Sequence, residues 1–357
     1  MSKQVVVVGA GIVGAAIAWH LAREGARVTV LDGTEPGGLA TRQSWGWINA
    51  SWGNPEAYFR LRVRAMAEWR GLERAVAGLA VNWCGGLIWD LDPQELADFA
   101  RQHLSWGYGI RPVSRAEILR IEPNLTSVPD QAYHAADEGM IEPAAAARAI
   151  LAGAAARGAG IVGRAHVKWL LEEHGRVTGV MTEEGPIHAD ETVVAAGAGV
   201  VPLLDSVGIT LKLTTPPGLL AHSKPAPDLL RGLVMTPGLH VRQTAEGRLV
   251  AGTDFAGADP MNKADELASQ LHGKVQALVR GAEQVELDFH TTGYRPTPAD
   301  GFPAVGRVGQ RQGLYVAVSH SGVTLAPAIG LFAARELLFG ERDELLAPYH
   351  ADRPELT

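Results

Sequence analysis

The sequence predicts an α/β fold in which a domain with a parallel sheet is interrupted by an α+β domain with a mainly antiparallel sheet, and three observations predict it. An apolar strand at 5–8 is followed at once by Gly9, Gly11 and Gly14, which open a helix whose alanine-rich face begins at Ala15. A second strand at 28–31 ends in Asp32, eighteen residues beyond Gly14. Strand, glycines, helix, strand and acid in that order make a Rossmann-like dinucleotide fingerprint. The middle of the chain instead alternates strands with turns, notably over 210–255, which is the habit of antiparallel sheets.

Each element has a local reason. The glycines allow a tight turn, let backbone N–H groups approach a pyrophosphate, and let the helix pack close on its strand. The ligand's charge then meets the unpaired amides of a helix N-terminus. Asp32 is placed to accept hydrogen bonds from a ribose, which disfavours a 2′-phosphate. Residues 33–38 are turn-rich, and a loop of small residues and indoles follows at 40–51. Interleaved apolar and charged residues, with Leu61, Val63, Met66, Trp69 and Leu72 as the apolar set, predict a helix over 55–80. A strand at 83–91, a helix at 93–106, and a helix at 143–157 opened by Pro143 and closed by Gly158 come next. Strands follow near 161–171, 176–182 and 187–188, then the apolar run at 193–199. A helix near 263–280, strands at 285–294 and 314–318, and a helix at 322–339 complete the chain.

Composition narrows the class. At 357 residues the chain is long for one core, so two domains or one interrupted domain are expected. The single cysteine, Cys84, excludes an internal disulfide and a Cys-x-x-Cys pair, which fits a cytoplasmic protein. A net charge of −7 without a Lys/Arg cluster argues against nucleic acid as a partner. Twelve scattered histidines do not make a metal site, so none is expected. The apolar run from Val5 to Trp19 is shaped by its glycines rather than by a secretory leader, and no other run approaches membrane-spanning length. Trp45, Trp47 and Trp52 fall within eight residues, either as core or as the wall of a pocket.

Taken together, VVVVGAGIVG at 5–14, ATRQSWGWI at 40–48, DEGMIEPAAAARAI at 137–150, VVAAGAG at 193–199, EGRLVAGTDF at 246–255, GYRPTPADGFPAVG at 293–306 and HSGVTLAPAIG at 320–330 resemble the FAD-dependent glycine oxidase, sarcosine oxidase and D-amino acid oxidase family. The likeness is nearest the glycine oxidase branch. It implies an FAD-binding domain from residues 1–52, 137–213 and 291–357, and a substrate domain from 53–136 and 214–290.

The resemblance also implies roles. FAD contacts fall to Gly9, Gly11, Ile12, Val13, Gly14, Asp32 and Gly33, to Thr41, Arg42, Gln43, Ser44 and Gly46 in the loop, and to Val167, Ala196 and Gly197. Arg295, His320, Ser321, Gly322, Val323 and Thr324 complete that set near the flavin. The N-terminus of the last helix would face the flavin's pyrimidine edge, where reduction builds negative charge. Arg295 would hold a substrate carboxylate through its planar fork. Tyr294, His240, Trp47 and Ile48 would also face substrate. Sarcosine oxidases bind FAD to a cysteine in the loop that here reads Tyr294-Arg295-Pro296-Thr297, so FAD should be non-covalent. The loop His320-Ser321-Gly322 is about two residues shorter than in glycine oxidases, leaving the amine's identity open.

The implied reaction is hydride transfer from an amino acid or N-substituted glycine to FAD, giving an imine that water hydrolyses, with O2 as acceptor. The three tryptophans favour a sizeable apolar substituent. A D-amino acid or proline-type dehydrogenase with another acceptor, a flavin-bearing subunit of a complex, and an NAD-dependent enzyme sharing only the first thirty-two residues stand as alternatives, and self-association is left open.

Overall fold

A computed structural model describes residues 2–51, 53–253, 263–309 and 311–356. Trp52, Asp254 and Phe255 lie outside the described residues.

The β-valine run at the start has no polar face to show solvent, so it must lie between layers. Gln4–Val8 is the inner strand of a six-stranded sheet, ordered Ala304–Arg307, Leu314–Val318, Glu191–Val194, Gln4–Val8, Arg27–Leu31, Gly160–Val162. Five of these strands run parallel, and Ala304–Arg307 pairs antiparallel at one edge. Helices Ile12–Arg23, Pro143–Ala155 and Gly322–Phe339 pack together against it. The first and last approach so closely that a Cβ on Gly330 would lie 2.7 Å from the Ala16 backbone.

Helix Gly322–Phe339 carries Pro327 in its interior, which removes the N–H that would bond the carbonyl of Val323. Trp69 replaces that donor. Its indole Nε1 lies 3.0 Å from the Val323 carbonyl and 3.1 Å from that of Thr324. The helix has the length and apolarity of a membrane span, with mean hydropathy 1.4, contrary to the expectation that no later run does. Two-thirds of it is buried inside the protein, as befits a core helix.

A second sheet has eight strands, ordered Leu287–Tyr294, Pro217–Pro225, Arg248–Gly252, Leu239–Gln243, Leu233–Thr236, Gly86–Ile88, Gln131–Ala135, Ile110–Ser114. All its pairings are antiparallel except that of Leu233–Thr236 with Gly86–Ile88. A smaller antiparallel sheet holds Val167–Glu173, Arg176–Thr182 and Gly185–His188.

Several boundaries differ from the sequence reading. The helix expected over 55–80 spans Glu56–Ala75, the strand at 83–91 is only Gly86–Ile88, and 161–171 splits into Gly160–Val162 and Val167–Glu173. Strands Ile110–Ser114 and Gln131–Ala135, with helix Arg115–Ile121 between them, were not anticipated. That short helix is announced by a capping box in which Ser114 and Glu117 bond each other's backbone. In Glu56–Ala75 the buried face is Tyr58, Phe59, Leu61, Arg62, Ala65, Met66, Trp69 and Leu72. Val63 is off that face and 37% exposed, whereas Arg62 is on it.

Candidate active site

One cavity of about 940 Å³ runs from the glycine turn to the GYRP loop, at the upper end of the size range of ligand sites. At its nucleotide end, Gly9 has φ +107°, and a Cβ there would lie 2.4 Å from the Ala195 carbonyl oxygen. A Cβ on Gly14 would lie 2.0 Å from the carbonyl oxygen of Gly9. The third glycine is therefore what lets helix Ile12–Arg23 sit on its strand. Gly11 differs, since its backbone is extended at φ −70° and a Cβ would meet only Thr41 Oγ1 at 3.3 Å and Gly38 Cα at 3.8 Å. The cavity, not the fold, requires Gly11. The helix has no side-chain N-cap bond, and its Ile12 N–H donates to Thr41 Oγ1 at 3.1 Å.

Asp32 follows the second strand of the six-stranded sheet. Its Oδ2 accepts from the Ala10 N–H at 2.7 Å, and its Oδ1 accepts from Thr34 N–H and Oγ1 at 2.8 Å each. A carboxylate offers roughly four acceptor positions, so one stays available towards the cavity that Asp32 lines. The nucleotide end thus matches a dinucleotide: glycine cradle, helix N-terminus and a fixed acceptor.

The far end brings together groups from segments far apart in the chain. Arg295, at the end of a strand of the large sheet, lines the cavity, and burial pulls its guanidinium below its ordinary range. Gly218, on the neighbouring strand, makes room for it: a Cβ there would stand 2.7 Å from Arg295 Nη2. Gly218→Ala is therefore expected to displace the guanidinium while leaving the fold intact. A misplaced clamp costs roughly 10- to 100-fold in kcat/KM, so steady-state kinetics alongside an unchanged Tm checks it.

His320, Ser321 and the first turn of helix Gly322–Phe339 form the opposite wall. Burial first, then the charges of Arg62 and Arg295, push the His320 imidazole down to about 4, so it is neutral at physiological pH. Arg62 enters from helix Glu56–Ala75, 7% exposed. It donates to the Asn49 carbonyl at 3.0 Å, to Asn49 Oδ1, and to Ser321 Oγ at 3.1 Å. Among the described residues it has no carboxylate partner, so a buried positive charge sits in the cavity wall.

Trp45 and Trp47 line the cavity edge-to-face at 5.9 Å. Trp45 also lies 5.8 Å from the His240 ring and donates to the Val250 carbonyl at 3.1 Å. His240 Nε2 is 3.0 Å from Asp90 Oδ2, a side chain 1% exposed. Arg242, 2% exposed, ties the loop down by donating to the Trp45 carbonyl at 2.5 Å and to Glu142 at 2.7 and 3.3 Å.

The cavity lining takes in Gly9, Gly11, Ile12, Val13, Asp32, Gly33, Thr41, Gln43, Ser44, Gly46, Val167, Ala196, Gly197, Arg295 and residues 320–324, together with Trp47, His240 and Tyr294. Gly14, Arg42 and Ile48 are not in it. Gly14 packs on Gly9, Arg42 is exposed and donates to the Glu35 and Pro36 carbonyls, and Ile48 is fully buried and paired with Gly139. Sequence reasoning missed Arg62, Glu138, Arg242 and Asp90. Arg62 carried a signal, since it falls on the apolar stripe of an otherwise amphipathic helix.

A model of the family described as "FAD dependent oxidoreductase" (DAO) matches residues 4–336. The chain is 32% identical to the glycine oxidase of Pseudomonas putida over 350 residues, covering 92% of each chain. It is 30% identical to the uncharacterized oxidoreductase YurR of Bacillus subtilis, covering 97% of this chain and 98% of that one. Among solved structures, an iminodiacetate oxidase from Chelativorans superposes with a TM-score of 0.81 at 25% identity, over 97% of this chain and 98% of that one.

Proposed function

The chain belongs to the DAO family of FAD dependent oxidoreductases, on its glycine oxidase-like branch, and from that premise we propose that it oxidises the C–N bond of an amino acid or N-substituted glycine, with O2 as the final acceptor. The observation that carries this reading is the half-buried guanidinium of Arg295 in the same cavity as the glycine cradle, with Trp45 and Trp47 lining it. A carboxylate is the natural partner of that fork.

The residues fit FAD: Gly11 leaves space for a pyrophosphate, Asp32 keeps an acceptor for a ribose, and the first turn of helix Gly322–Phe339 offers amides at the far end. When bound, FAD supplies the acceptor for the hydride that leaves the substrate's α-carbon. Arg295 holds the carboxylate and so aims that carbon. His320, kept neutral, adds no further positive charge beside the amine. Arg62 and the helix N-terminus favour negative charge in the wall they form. The indoles exclude water and favour an apolar substituent. We assign residues 1–52, 137–213 and 291–357 to the FAD-binding domain and 53–136 and 214–290 to the substrate domain, a division supported by the segments that build the six- and eight-stranded sheets except at 290/291, which falls inside strand Leu287–Tyr294 of the larger sheet.

FAD is held non-covalently in this reading. Cys84 does not line the cavity, and burial pushes its thiol up to about 11. Acid precipitation is expected to release all flavin into the supernatant, and flavin retained on the polypeptide would overturn this.

Anaerobic titration of the holoprotein with glycine, sarcosine, longer N-alkyl and N-carboxymethyl glycines, and D- and L-amino acids tests the function by loss of flavin absorbance. Amines with larger apolar groups should bleach it at lower concentration, by about 0.8 kcal/mol per buried methylene. Equal response to glycine would remove the apolar preference, and no response to any amine would remove the proposal.

A further inference from the structure

The loop Trp47–Ser51 that borders the cavity is held from beneath by one carboxylate. Glu138 follows strand Gln131–Ala135 and is 0% exposed. The pairing of Trp47–Ile48 with Gly139–Met140 brings it under the loop, 91 residues away in sequence. Its Oε2 accepts from Trp47 Nε1 at 2.8 Å. Its Oε1 accepts from the Tyr108 hydroxyl at 2.7 Å and from the Ser51 N–H at 3.2 Å. An indole N–H and a backbone N–H are obligate donors. The Tyr108 oxygen is itself an acceptor for the Ala50 N–H at 3.2 Å, and its proton goes to Glu138 at 2.7 Å in preference to the weaker acceptor Met66 Sδ at 3.9 Å. Burial pushes the Glu138 carboxyl up, but every neighbour named here points a donor at it. Arg62 grips the same loop from the other side through both oxygens of Asn49.

We propose that Glu138 is a positioning and specificity-determining residue: it fixes the Trp47 indole as the wall of the substrate space, and through Trp47 sets which carboxylate ligands fit. This rests on the functional reading above only in placing the substrate beside Trp47. A glutamine at this position keeps the shape but presents an amide with one acceptor oxygen and two donor hydrogens to three donors. One of the donors, either Trp47 or the Tyr108–Ser51 side, must then face another donor. The amide oxygen keeps the Tyr108–Ser51 side, where it takes two bonds, so its NH2 group faces Trp47 Nε1, and reorientation of the indole is the expected response because a buried unpaired donor is costly.

The test is a double-mutant cycle on FAD-loaded protein, with Glu138→Gln, Trp47→Phe and the double variant. Two readouts are taken: the dissociation constant of benzoate, used as a carboxylate probe and followed by flavin absorbance, and the visible circular dichroism of bound flavin. Neither requires that an amine be oxidised, so failure of the functional reading is seen separately in the bleaching assay. Glu138→Gln and Trp47→Phe are each expected to weaken benzoate roughly 10-fold or more and to change the flavin dichroism. The double variant should be no worse than the poorer single, since both act on one indole. On an oxidised amine, KM should rise more than kcat falls. Multiplying effects in the double variant, or wild-type dichroism in Glu138→Gln, would overturn the proposal. Should Glu138→Gln fail to fold, Trp47→Phe decides alone: unchanged benzoate affinity and unchanged dichroism overturn it.

Discussion

Arg295→Ala is expected to weaken binding of a carboxylate ligand by about 2–5 kcal/mol, the usual cost of losing one partner of a desolvated charge pair, while FAD stays bound. The basis is local. The guanidinium lines the cavity, burial disfavours its charged form, and the strand beside it carries a glycine where any side chain would intrude. Arg295→Lys is expected to recover only part of the loss, because an ammonium cannot make the two parallel bonds of the fork. Benzoate titration against flavin absorbance measures all three proteins on one scale. Equal affinity in wild type and Arg295→Ala would remove this residue from the site. Loss of flavin in the alanine variant would make Arg295 a cofactor contact first.

The legible parts of this protein were those encoded by contiguous sequence. The glycine turn, Asp32, the strand Leu314–Val318 and the helix Gly322–Phe339 each announce themselves within a few residues. Arg295 became legible through its GYRP neighbours and the family likeness, not through any property of an isolated arginine. What escaped was assembled across the fold. Glu138 reaches Trp47, Arg62 reaches Asn49 and Ser321, and Asp90 reaches His240 over a separation of 150 residues. No local pattern marks such pairs, although Glu138 and Glu142 both sat in a segment already quoted for its family likeness. Arg62 is one of the charged residues interleaved in helix Glu56–Ala75, and only the folded chain shows it buried in the cavity wall.

The three glycines of the turn are not interchangeable, and substituting them should separate cofactor loss from fold loss. Gly11 has an extended backbone that any residue can adopt, and a Cβ there has no atom nearer than Thr41 Oγ1 at 3.3 Å. Gly11→Val should therefore yield a folded, colourless protein: flavin content falls to about a tenth or less, while the urea midpoint of its apoprotein matches that of wild-type apoprotein. Gly14 is the opposite case. A methyl at Gly14 would overlap the Gly9 carbonyl oxygen at 2.0 Å, and both partners are backbone, so neither moves cheaply. Gly14→Ala should destabilise even the apoprotein by about 1–3 kcal/mol or more, the range for overpacking a tight interior, because helix Ile12–Arg23 must lift from its strand and from the final helix beneath it. Flavin content would fall as well, but as a consequence of the displaced helix N-terminus. A Gly11→Val protein that retains stoichiometric FAD would show that the pyrophosphate does not lie on this turn. A Gly14→Ala apoprotein as stable as wild type would show that the helix does not depend on that close approach. Because Gly9 combines φ +107° with a 2.4 Å approach to Ala195, any side chain there should produce the Gly14 phenotype and not the Gly11 one.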